Sequence, residues 1–111
     1  GDPEPKLELG EAPRKIPVPD QYETAEPVTV NRHHLDTNHH VNNAQYVEMA
    51  REAVPAGITI REIRVDYKKA AVLGDVIVPR VTLGEGGSYT VVLAGSAGEV
   101  YAVVWLLAGN R

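Results

Sequence analysis

Val41-Asn42-Asn43-Ala44-Gln45-Tyr46-Val47-Glu48-Met49-Ala50-Arg51-Glu52-Ala53-Val54-Pro55 decides the fold of this 111-residue chain. Val41, Ala44, Val47, Ala50 and Val54 recur at helical spacing, and Tyr46, Met49 and Ala53 widen the apolar face. Asn42 is the natural N-cap, and Gln45 stands where a capping-box partner belongs. Pro55 ends the run, because the residue before a proline is pushed out of the α region. A single helix with so broad an apolar face has to be wrapped.

Downstream, the sequence supplies the wrapping. In Thr59 to Tyr67, Ile60, Ile63, Val65 and Tyr67 are apolar, and Glu62, Arg64 and Asp66 alternate with the last three. Gly74-Asp75 punctuates before a second strand, Val76 to Leu83. Glu85-Gly86-Gly87-Ser88 reads as a turn into a third strand, Tyr89 to Ala94, and Gly95-Ser96-Ala97-Gly98 as another. Val100 to Ala108 is almost wholly apolar, which predicts a strand covered on both faces. Successive strands with short turns form an antiparallel meander, and one helix laid on it is an α+β layer fold.

Upstream of the helix, Pro27 to Arg32 is a short β-like run leading into His33-His34-Leu35-Asp36-Thr37-Asn38-His39-His40. This polar cluster precedes a helix N-terminus, where unpaired N–H groups and a partial positive charge gather. Asp36, Asn38 and His40 alternate, so an extended backbone aims them to one side. A carboxylate, an amide and an imidazole together can orient a water, donate to an oxyanion and accept a proton. The same Asp and Asn also suit a polar loop closed by local turns. Four histidines and Asp36 invite a metal, but adjacent imidazoles on a strand point to opposite faces, so no metal centre or other cofactor is expected. Asn42 and Asn43 read as caps, Tyr46, Tyr101 and Trp105 as packing residues. Arg64, Lys68 and Lys69 form a basic stretch that suits a solvated strand face or an acidic partner.

A net charge of −4 disfavours nucleic-acid binding. The lack of cysteine excludes a disulfide framework, a thiolate zinc site and a cysteine nucleophile. No apolar run is long enough to span a bilayer and no signal-peptide pattern opens the chain, so a cytoplasmic site is expected. Pro3, Pro5, Pro13, Pro17, Pro19 and Pro27, with charges between, mark residues 1–26 as an extended connector and 27–111 as the folded domain. A connector at the start suggests that something normally precedes it.

Leu35-Asp36-Thr37-Asn38-His39-His40-Val41-Asn42-Asn43-Ala44-Gln45-Tyr46 resembles the signature of the acyl-acyl-carrier-protein (acyl-ACP) thioesterases, Asp-x-Asn-x-His-Val-Asn-Asn followed shortly by Tyr. Val65-Asp66-Tyr67-Lys68-Lys69-Ala70-Ala71, then Leu73-Gly74-Asp75, resembles the family's second landmark. The resemblance implies a hotdog fold, a sheet curled around one helix. It further implies the second half of a double-hotdog enzyme, whose first half lines much of the acyl pocket. Asp36, Asn38 and His40 match the catalytic positions, and Asn42, Asn43, Tyr46, Arg64, Lys68 and Lys69 are the candidate substrate contacts. Where plant members carry a glutamate, and some a cysteine beside it, this chain has Ala70 and Ala71. The acid/base role then falls to Asp36.

The expected activity is hydrolysis of fatty acyl-ACP thioesters in fatty acid biosynthesis, with acyl carrier protein as partner. The expected assembly is a homodimer, or pairing with a missing N-terminal half. A hotdog module that only binds acyl groups or mediates dimerisation is the alternative. Ala70 favours that alternative, and the presence of Asp36, Asn38 and His40 opposes it.

Overall fold

The computed structural model describes residues 16–35 and 41–109. Helix α1 covers Asn43–Ala53, as its apolar period requires. Asn42 caps it, its Oδ1 accepting the Ala44 N–H at 2.8 Å. The Gln45 N–H goes instead to the Asn42 carbonyl at 2.8 Å, so the cap falls one residue short of a full capping box. Val54, extended at φ −90° and ψ 165°, closes the helix ahead of Pro55.

Among the described residues six strands make one antiparallel sheet: β1 (Glu23–Thr24), β2 (Val28–Thr29), β3 (Thr59–Tyr67), β4 (Val76–Leu83), β5 (Ser88–Gly95) and β6 (Val100–Gly109). The order is β1-β4-β5-β6-β3, with β2 also paired to β4. Between β4 and β5 the chain turns through Gly86 and Gly87, whose φ of 69° and 82° side chains rarely tolerate.

Pleating sorts the side chains. Ile77, Val91, Leu93, Val104 and Leu106 join Tyr46, Met49 and Ala50 of the helix, and Val54 just past its end, in one buried core. Val92, Ala94 and Val103 face the other way and form a smaller cluster with Ile16 and Val100. The Ile16 N–H donates to Asp66 Oδ2 at 3.1 Å, so the proline-rich segment is tied at Ile16 across the outer face of the sheet. β6 is therefore an interior strand with both faces covered, as its apolar run predicts. Among the described residues, the long strand with an open edge is β3. An antiparallel sheet laid on a single helix is the hotdog arrangement.

Candidate active site

The N-terminus of α1 meets three pieces of chain. Leu35 and Val41 form an antiparallel bridge, and the Asn42 N–H donates to the His34 carbonyl at 2.9 Å. Leu35 and Val41, on either side of residues 36–40 in the sequence, are thus held together beside the helix. His34 makes this possible by folding inward, where its Nδ1 accepts the Asn31 N–H at 2.8 Å. Burial, with His33 alongside, holds the His34 imidazole below its ordinary pKa of 6.5. Asp36, Asn38 and His40 themselves lie outside the described residues, as does His39.

The third piece is the segment after β3. The Val41 N–H donates to the Ala71 carbonyl at 3.0 Å, and the Ala71 N–H to the Tyr46 hydroxyl at 2.9 Å. Upstream, the Lys68 and Lys69 N–H groups both donate to the Tyr101 carbonyl, at 2.9 and 3.1 Å. These contacts wall a cleft of about 370 Å³ lined by Val41, Asn43, Tyr46, Tyr67, Lys68, Lys69 and Ala70. Tyr46 is buried, and burial pushes its pKa up, so its hydroxyl stays protonated at neutral pH. The Tyr67 ring stands 5.9 Å from that of Tyr46, and burial raises its pKa as well.

Of the residues singled out from the sequence, Asn43, Tyr46, Lys68 and Lys69 converge on this cleft, and Asn42 caps the helix beside it. Arg64 is not brought there. Its guanidinium sits 5.2 Å over the Trp105 ring and bonds Glu62 at 3.0 Å. Lys68 pairs with Asp66 at 3.2 Å, and Lys69 Nζ lies 5.8 Å over the Tyr101 ring. Tyr67 and the Ala71 backbone were not singled out. The signal for Tyr67 was its place at the end of β3, one of the alternating residues that face the helix.

A larger cleft of about 720 Å³ opens at the other end of α1, between Tyr22, Val54, Leu83 and Tyr89. It lies against the helix C-terminus, whose partial negative charge opposes a developing oxyanion, so size alone does not make it the site. Among the described residues no group of His, Asp and Glu side chains could hold a metal ion. Nor is any helix among them long and apolar enough to cross a membrane.

Comparison with known proteins agrees with the fold. The family model of the acyl-ACP thioesterase C-terminal domain matches residues 18–101. No curated protein sequence matches the chain. Among solved structures, the chain is similar to a 12:0-ACP thioesterase from Umbellularia californica, at 22% identity and a TM-score of 0.75, over 87% of this chain and 39% of that one. An acyl-ACP thioesterase from Bacteroides thetaiotaomicron is similar at 18% identity and a TM-score of 0.69, over 89% and 44%. A thioesterase from Thermus thermophilus, solved with coenzyme A and zinc, is similar at 20% identity and a TM-score of 0.67, over 79% and 83%. The chain thus spans less than half the length of the two ACP thioesterases.

Proposed function

Since this chain belongs to the acyl-ACP thioesterase C-terminal domain family, we propose that it carries the hydrolytic site of an enzyme that cleaves fatty acyl-ACP thioesters in cytoplasmic fatty acid biosynthesis. One observation carries the reading: Leu35 and Val41, the residues that flank Asp36–His40 in the sequence, bridge each other at the N-terminus of α1, beside the cleft. Helix N–H groups there suit a developing oxyanion.

In the proposed mechanism His40, oriented by Asp36, takes a proton from a water that Asn38 holds. The resulting hydroxide adds to the thioester carbon, and the carbonyl oxygen becomes an oxyanion stabilised by backbone N–H groups near Asn42. The C–S bond then breaks, the proton passes to the departing thiolate, and free fatty acid and ACP thiol leave. No covalent enzyme intermediate is needed, in keeping with the absence of cysteine. Removing one oxyanion donor typically raises such a barrier by about 3–4 kcal/mol. Lys68 and Lys69 at the cleft are the candidate contacts for acidic carrier protein. The partner is a second copy or an N-terminal hotdog half that meets the open β3 edge.

The test is turnover of acyl-ACP by the full-length protein carrying His40→Ala. A fall of about a hundredfold or more is expected, and unchanged turnover removes His40 from the mechanism. Asp36→Asn is expected to be nearly inactive. Ala70 lines the cleft, so adding Ala70→Glu is expected to restore part of the rate. No recovery means that a carboxylate at position 70 does not reach the reacting water.

A further inference from the structure

Ala71 is fully buried, and both polar groups of its backbone are taken. Its carbonyl accepts the Val41 N–H at 3.0 Å and its N–H reaches the Tyr46 hydroxyl at 2.9 Å. Only the second bond comes from a side chain. Tyr46 sits in the second turn of α1, and its hydroxyl also lies 3.5 Å from the Lys69 carbonyl, toward which its proton can point. One phenol therefore holds a segment of three residues, Lys69 to Ala71, at both ends. Two of those residues, Lys69 and Ala70, line the cleft. Through the Ala71 carbonyl the same segment holds Val41, where the 36–40 stretch re-enters the described fold.

We propose that Tyr46 is a positioning residue. Its hydroxyl locks the Lys69–Ala71 wall to α1 and, through the Ala71 carbonyl, fixes Val41 at the helix N-terminus. This rests on the hydrolytic reading above and deepens it, because it assigns the alignment of the site to a group that needs no contact with substrate. A phenylalanine at 46 would fill the same core volume among Met49, Ala50 and Val104 but would leave the Ala71 N–H without an acceptor in a buried place. A burial-raised pKa keeps the phenol protonated, so the lock holds across the neutral range.

The experiment is Tyr46→Phe in the full-length protein, read in two ways. Amide hydrogen exchange at Ala71 is expected to rise about tenfold or more while the β5 and β6 amides stay protected. Turnover of acyl-ACP is expected to show kcat down about tenfold or more with KM within about twofold, the signature of lost alignment rather than lost binding. Unchanged exchange at Ala71 overturns the proposal whatever the activity. Faster exchange with unchanged kcat overturns it too, because the lock would then serve stability alone. A wild-type protein that does not hydrolyse acyl-ACP sinks the hydrolytic reading, and the alignment proposal with it, while the exchange arm still reports the bond. If the variant fails to fold, Ala71 exchange in the wild type decides. Exchange as fast as an unprotected amide contradicts the lock, and strong protection supports it.

Discussion

The His34 imidazole is held below its ordinary pKa for a geometric reason as well as an electrostatic one. Its Nδ1 must keep a lone pair to accept the Asn31 N–H, and burial beside His33 disfavours the imidazolium. The folded pKa is thus lower than the unfolded one, so the unfolded chain binds the proton more readily. Stability from this site is present above pH 6.5 and is lost as pH falls below it toward the folded pKa. Replacing His34 with Gln, which keeps an acceptor and cannot titrate, is expected to flatten the pH dependence of urea stability over that interval. A slope equal to that of the wild type would show that His34 is not its source. The sequence displayed four histidines but not that His34 turns inward. Whether an imidazole turns inward depends on a backbone donor three residues away, which no residue type announces. Tyr46 is similar: its apolar spacing revealed a core position, but the partner of its hydroxyl lies 25 residues on.

Helix α1 was legible because three signals agree: period, cap and Pro55. Asn42→Ala is expected to cost about 1 kcal/mol in denaturant unfolding, and Asn42→Gly only a few tenths. Equal costs would mean that the Oδ1 bond to Ala44 contributes nothing. The long strands were legible from alternation and turns, and the apparent fault in β3 has a physical cause. Ile60 and Ile63 are spaced by three, which breaks a period of two. A register shift between Ile60 and Glu62 absorbs the extra residue and returns both isoleucines to the helix side. β1 was not legible. Two residues amid prolines carry no period, and Glu23–Thr24 pair with Val81 and Arg80 only because β4 presents a free edge there.

At the scale of the whole molecule, the reason to expect a partner lies at one edge of the sheet. The apolar β6 is satisfied within the chain, flanked by β5 and β3. Among the described residues the long strand left open is β3, with one edge unpaired in the sheet and with Ile63 and Tyr67, on the helix side, 39% and 47% exposed. An exposed edge with apolar side chains invites strand pairing. Sedimentation of the chain at micromolar concentration is expected to give a dimer, and Ile63→Lys to shift it toward monomer. A folded wild-type monomer at that concentration would contradict the expectation. Such pairing would extend the sheet past Tyr67, at the rim of the cleft, so assembly and activity are expected to rise together with concentration.

The most direct measurement is the release of ACP thiol from a purified acyl-ACP by the full-length protein, wild type against Asp36→Asn, at equal and verified folding. The account predicts steady release by the wild type and a rate near the uncatalysed background for the variant. Equal rates for the two, or no release by the wild type, would contradict it.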